Sequence, residues 1–228
     1  MASAKLSTRL SAELIGTLFF VFIGAGSVVA AQYLSLPGYI AILFIAIANG
    51  LGLALGISIT MGTSGGHLNP AVSVGALIAG KISVRDALAY IVAQCIGATI
   101  GAMLLYGFFP SVIGNQVSWG TPSVASDVTV LQAIFIEALL TFFLMFAVFG
   151  TAIDKRAPKI AGFGIGLTVF LDAMIGGPLT GAAMNPARAI GPAIASLNFA
   201  NWYVYWIGPI IGAVIAALLY SRLIMERR

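Results

Sequence analysis

Ser64-Gly65-Gly66-His67-Leu68-Asn69-Pro70-Ala71-Val72 is answered, 116 residues on, by Thr180-Gly181-Ala182-Ala183-Met184-Asn185-Pro186-Ala187-Arg188. Each stretch interrupts a long apolar run with glycine and restarts with Asn-Pro-Ala. Asn is a good N-cap and Pro a good first helical residue, so each motif reads as the start of a helix. The apolar piece beyond each motif is short: about ten residues to Ile78 in the first copy, and Pro186 to about Ser196 in the second. Neither piece can cross a bilayer, which takes ~20 residues. Two re-entrant half-helices with positive dipole ends meeting at mid-membrane describe a pore.

The rest of the chain agrees with a membrane setting. Of 228 residues, 60% are hydrophobic and 8% charged, and the mean hydropathy is +1.06, which excludes a soluble globular domain. Six apolar runs stand out: Thr8–Ala31, Tyr39–Met61, Val84–Phe108, Val128–Thr151, Ile160–Gly177 and Trp202–Ile224. They lack the alternation of a barrel strand, so the fold class is an all-α membrane protein with six transmembrane helices plus two half-helices. Lys5, Arg9, Lys81, Arg85, Lys155, Arg156, Lys159, Arg222, Arg227 and Arg228 all fall on one side of that layout, which predicts cytoplasmic termini. Their scatter at helix ends is a topology signal and argues against nucleic-acid binding despite a net charge of +4. The first run has span length and no small-residue cleavage pattern, so it reads as a helix and not a signal peptide. Cys95 is a packing residue in an apolar helix.

An inverted repeat organises the chain. Glu13 and Thr17 align with Glu137 and Thr141, Gly50-Leu51 with Gly166-Leu167, Gly65 with Gly181, and Ile96-Gly97-Ala98 with Ile211-Gly212-Ala213. Three spans per half is an odd number, so the halves enter the membrane from opposite sides. One unit covers residues 1–228: repeat one about 8–108, a loop about 109–127, and repeat two about 128–225. The non-helical approaches leave the carbonyls of Gly65, Gly66, His67 and Leu68, and of Gly181, Ala183 and Met184, free to line a wet lumen. Asn69 and Asn185 cap the half-helices and present amide donors to it. Water held between two such donors and two positive dipole ends cannot relay protons, and cations are repelled. Glu13 and Glu137, buried in matching spans, require donors, for which the backbone N–H groups of the re-entrant loops are the candidates. His67 anchors its loop through its ring; no second His exists to share a metal, and no cofactor is called for.

These motifs, with Ala12-Glu13-Leu14-Ile15-Gly16-Thr17 and Trp206-Ile207-Gly208-Pro209, resemble the aquaporin or major intrinsic protein family over nearly the whole chain. The resemblance implies one pore per subunit, a homotetramer, and a passive channel with no enzymatic activity, its partners being water, small neutral solutes and lipid. It places Arg188 in a narrow outer filter. It also places Asn49, Ala173 and Ala182 there, where water-selective members typically have an aromatic on span two and a His on span five. Asn and Ala at those positions predict a wider aperture, open to glycerol, urea or neutral hydroxylated acids of boron, silicon or arsenic. Ala189 and Ala193, where glycerol-type relatives usually carry Asp and a basic residue, and the pair Tyr205-Trp206 point instead to the water-type lineage.

Two acidic residues and two rival functions stay open at this level. Asp172 adjoins the filter with Gly56 as its repeat counterpart, and in a regular helix it points away from the lumen. Asp127 is a candidate N-cap of span four. An ion- or proton-coupled carrier also uses inverted repeats and broken helices, but it needs a titratable cluster at mid-membrane, where this chain has two Asn. A junctional protein with a vestigial pore is disfavoured by the intact motifs. Short loops without an Asn-x-Ser/Thr acceptor point to a prokaryotic plasma membrane.

Overall fold

A computed structural model describes residues 4–158 and 160–225. Among the described residues, six long helices are apolar enough to span a membrane: α1 (Leu6–Tyr33), α2 (Gly38–Ser64), α4 (Val84–Leu104), α6 (Val130–Val148), α7 (Ala161–Thr180) and α9 (Val204–Leu219). Short helices α3 (Pro70–Ile78) and α8 (Pro186–Ser196) are the two half-helices, and α5 (Ser111–Gln116) belongs to the loop between the repeats. With the tighter or wider turns that extend α4, α6 and α9, the observed span ends lie within three residues of those read from hydropathy. The departures of three residues are at the ends of α2 and α7, which run on to Ser64 and, through Pro178, to Thr180. Asp127 is not the N-cap of α6. Thr129 is, accepting from the Gln132 N–H while the Gln132 side chain accepts from the Thr129 N–H; this is the reciprocal capping box, which a Thr followed three residues later by Gln encodes.

The outer surface is as apolar as the core. Polar side chains are buried within the bundle, including Glu13, Thr17, Gln94, Glu137 and Thr141, while Leu43, Ile47, Leu51, Leu55 and Ile59 leave an apolar flank of α2 exposed on its outside. Without a hydrophobic drive between helices in lipid, close backbone approach supplies the packing. Glycines provide it at repeat-related places. A Cβ on Gly97 would strike the Leu14 carbonyl of α1, and one on Gly212 the Ala138 carbonyl of α6. Gly50 and Gly166, partners in the repeat, abut each other: a Cβ on Gly50 would lie 2.7 Å from the Gly166 oxygen. Thus α1 pairs with α4 as α6 pairs with α9, and α2 crosses α7 near the pseudo-twofold axis. Each half-helix leans on the third span of the other half, α3 on α9 and α8 on α4, so the repeats interlock.

One face, which the charge pattern predicts to be the inner one, collects the starts of α1 and α4 and the ends of α6 and α9. Arg9 on α1 forms a salt bridge with Asp86 on α4 at 3.0 Å. Arg156 grips Asp154 at 2.7 Å and donates to the Ile224 carbonyl, also at 2.7 Å. Both α6 and α9 end there in a π-helical turn, Phe149–Ile153 and Tyr220–Ile224, with the Phe149 and Tyr220 rings stacked at 5.2 Å. Lys5, Lys81, Arg85, Lys155 and Arg222 lie at these same helix ends; Lys159, Arg227 and Arg228 lie outside the described residues.

Gly212→Leu overpacks the α6–α9 contact and should destabilise the detergent-solubilised protein by about 1–3 kcal/mol. Gly62→Leu, with open space around it, should not, so equal unfolding temperatures for the two variants would contradict the assigned contact. At the inner face, the hydrogen bonds from Arg156 hold the Asp154 carboxyl down to about 2. A lowered native pKa stabilises the fold above the unfolded-state value, and that contribution disappears as pH falls through the native one. Wild type should therefore unfold at higher temperature than Asp154→Asn at neutral pH, the gap closing between about pH 4 and about pH 2.

Candidate functional site: a central pore

The two Asn-Pro-Ala motifs meet tip to tip. Asn69 has extended backbone, and its Oδ1 accepts from the Ala71 N–H at 2.8 Å. Asn185 repeats this with the Ala187 and Arg188 N–H groups at 3.0 and 3.2 Å. Each amide nitrogen then crosses to the other half. Asn69 Nδ2 donates to the Met184 carbonyl at 2.9 Å, and Asn185 Nδ2 to the Leu68 carbonyl at 2.8 Å. An Asn amide has two N–H groups, so one on each Asn ties the repeats together and one is left to donate.

The loops leading to the motifs have matching left-handed positions: Gly65 with Gly181, Gly66 with Ala182, Leu68 with Met184. These turns release N–H groups from helical bonding, and a buried carboxylate gathers them in each half. Glu13 accepts from the His67 and Leu68 N–H groups at 2.9 and 2.7 Å, from Ser64 Oγ at 2.6 Å and from Gln94 Nε2 at 2.7 Å. Glu137 accepts from the Ala183 and Met184 N–H groups at 3.0 and 2.7 Å and from Thr180 Oγ1 at 2.7 Å. The tyrosines that brace these turns are paired as well: Tyr90 donates to the Ser64 carbonyl and Tyr205 to the Thr180 carbonyl.

Sequence reading did not single out the roles of Ser64, Gln94, Tyr90 and Thr180, or the bracing by Tyr205. The 116-residue register superposes Ser64 on Thr180, which was the available signal. Gln94 had none, because Pro209 stands at its counterpart. Its amide also donates to Ser73 Oγ at 3.1 Å, and Ser73 Oγ is hydrogen-bonded to His67 Nδ1 at 3.1 Å. The other ring nitrogen, Nε2, lies beside Gly65 at the inner mouth.

A vestibule opens on each side of the Asn pair. The inner one, about 270 Å³, is lined by apolar side chains of α2 and α6 together with Gly65, Gly66, His67 and Asn69. The outer one, about 330 Å³, brings Asn49, Ala173, Ala182 and Arg188 together with Gly181 and residues 120–123 of the inter-repeat loop. Arg188 is buried, and its Nη1 donates to the Gly120 carbonyl at 2.8 Å. Three successive left-handed residues, Ser118, Trp119 and Gly120, turn that carbonyl toward it. The turn is fastened by the fully buried Trp119, which stacks on Tyr106 and donates from its indole to Asn115. Asp172 is buried on α7, does not line either vestibule, and its Oδ2 has no partner among the described residues. Among the described residues no three His, Cys, Asp or Glu side chains form a metal-binding group.

Six spans, two half-helices joined at their N-termini and two opposed vestibules define a transmembrane channel. The major intrinsic protein family model matches residues 1–220. A probable TIP-type aquaporin of Antirrhinum majus is 37% identical over 216 residues, covering 92% of this chain and 84% of the relative. A probable aquaporin, TIP3-2, of Arabidopsis thaliana is 40% identical over 227 residues, covering 94% and 82%. The X-ray structure of the aquaglyceroporin from Plasmodium falciparum superposes with a TM-score of 0.88 at 25% identity, covering 96% of this chain and 97% of that one. The chain belongs to the major intrinsic protein family, the aquaporins. It is a multi-pass membrane channel for the passive movement of water and small solutes, and not an enzyme.

Glu137→Gln tests the fastening of the second loop. A carboxamide has one acceptor oxygen in place of two, so a loop N–H is left unpaired at a cost of about 1–3 kcal/mol. The variant should unfold at lower temperature and conduct less water per reconstituted protein. Unchanged stability would mean that the carboxylate does not hold the loop.

Proposed function

We propose that this channel passes water together with small uncharged solutes of the size of glycerol or urea, while excluding protons and ions. The observation that carries the reading is the make-up of the outer vestibule. Ala173 and Ala182 contribute only methyl groups to its wall, Asn49 keeps its amide nitrogen on the Ile45 carbonyl at 2.8 Å, and Arg188 alone brings a charge. Small walls admit a solute wider than water, and a guanidinium donates to its oxygen while repelling cations. Exclusion of protons belongs deeper, to Asn69 and Asn185, where the free amide N–H groups and the two helix N-termini orient water in opposite directions. Pro70, Ala71, Pro186 and Ala187 form the first turns behind those donors, and the carbonyls of the two approach loops are the acceptors along the path. Glu13 and Glu137 act as scaffold carboxylates in this scheme, since both are spent on donors of the loops and their neighbours.

Both termini belong, on this reading, to the cytoplasmic side of a cell membrane, because the basic side chains gather at the inner face. A homotetramer fits the apolar flank that α2 and α7 share, with Ile47, Leu51, Phe163, Leu167 and Phe170 around the Gly50–Gly166 crossing.

Stopped-flow light scattering on proteoliposomes tests the proposal with water, glycerol and urea gradients, and a pH-sensitive dye in the lumen reads proton flux. Water, glycerol and urea should all equilibrate faster than in empty vesicles, and protons should not. Water flux without glycerol or urea flux would overturn the wide filter; proton flux would overturn the role given to the Asn pair.

A further inference from the structure

We infer that Gly24, on α1 and outside the filter itself, sets the solute aperture by giving the Asn49 side chain a notch to fold into; the inference rests on the wide-filter reading. Gly24 is buried where α1 passes α2. A Cβ built on it would stand 2.5 Å from Asn49 Oδ1 and 3.2 Å from Asn49 Cγ, and the three nearest heavy atoms all belong to that one amide. The amide nitrogen is turned the same way, donating to Ile45 O on its own helix at 2.8 Å and reaching Gly24 O at 3.5 Å. Asn49 therefore lies along the backbone of α1 and is 7% exposed, although it belongs to the outer vestibule wall.

A methyl group at position 24 is incompatible with that placement. What it meets is the far end of a flexible side chain and not backbone, so the relief is rotation of Asn49 and not separation of α1 from α2. Ala is also the better helix former, so α1 itself does not suffer. With α1 closed to it, the displaced amide has the outer vestibule in front of it, where Ala173, Ala182 and Arg188 form the opposite wall. A carboxamide standing there narrows the passage and adds a donor and an acceptor that compete with solute for Arg188. The residue that makes Asn49 a small filter residue is thus the glycine behind it.

The test compares wild type, Gly24→Ala, Gly24→Ala with Asn49→Ala, and Asn49→Gln in proteoliposomes, reading glycerol, urea and water permeability for each. Gly24→Ala should lower the solute-to-water permeability ratio at least about fivefold, a barrier increase of about 1 kcal/mol. Adding Asn49→Ala should return the ratio to the wild-type value or above. Asn49→Gln, one methylene too long for the notch, should lower the ratio with Gly24 intact. An unchanged ratio in Gly24→Ala, or a double variant as restricted as the single one, overturns the inference. Should Gly24→Ala not reconstitute, an undiminished ratio in Asn49→Gln overturns it equally. If wild type conducts water but no solute, the wide-filter reading has failed separately. The notch is then judged on water alone, which Gly24→Ala should slow and the double variant restore.

Discussion

Backbone that leaves the helical path inside a bilayer must find every hydrogen-bond partner within the protein. That constraint organises this channel. Residues 65–69 and 181–185 leave the helical path between a long helix and a half-helix, and their freed N–H groups converge on Glu13 and Glu137. A carboxylate suits the task because its two oxygens accept several bonds at once and need no donor of their own. The interactions are reciprocal, since an isolated carboxylate at that depth would be prohibitive and the loop amides are its solvent. Asn69 and Asn185 complete the arrangement by capping one half-helix each and bonding the opposite loop. The pore exists because these groups satisfy one another while leaving one amide N–H on each Asn and several carbonyls unspent.

The two halves share this scaffold and differ where the two ends of the pore differ. Arg188 follows the second motif, whereas Val72 takes its place in the first. Arg188 needs a partner from outside the repeat, and the inter-repeat loop supplies it through the Gly120 carbonyl. The first half instead has Gln94 and Ser73, which fix the His67 ring at the inner mouth. Both additions use parts that the duplication does not provide: an inserted loop on one side, and a glutamine with a proline as its counterpart on the other. Symmetry thus builds the centre, and departures from it build the entrances.

How much of this was legible in the chain depends on the range of each interaction. Helix spans and half-helices depend on runs of adjacent residues, so hydropathy and the Asn-Pro starts located them to within three residues. The misplaced cap at Asp127 was a local error with a local remedy, the box that begins at Thr129 and closes at Gln132. The repeat also made Glu13 and Glu137 recognisable as a pair, and the need of a buried carboxylate for donors pointed to the loops. What could not be read were partnerships between residues far apart in the chain with no repeated counterpart: Gln94 with Glu13, Gly120 with Arg188, Gly24 with Asn49. Each depends on the angle at which two helices or a loop and a helix approach, and no spacing in one segment encodes that.

That last class of contact is where the proposed reading puts discrimination among solutes. On the proposed reading, charge is handled at the centre by groups that cannot change without losing the half-helix caps, which would tie proton and ion exclusion to the fold itself. Size, on the same reading, is handled at the outer vestibule by side chains whose reach is decided one contact further out. Ala173 and Ala182 are small by composition, but Asn49 is small only by conformation, because its amide lies over a residue with no side chain. A filter of this kind can be retuned from behind without touching a residue that faces solute. The closely packed glycines at helix crossings, needed in lipid for backbone approach, then serve a second purpose wherever one of them backs a pore-lining side chain.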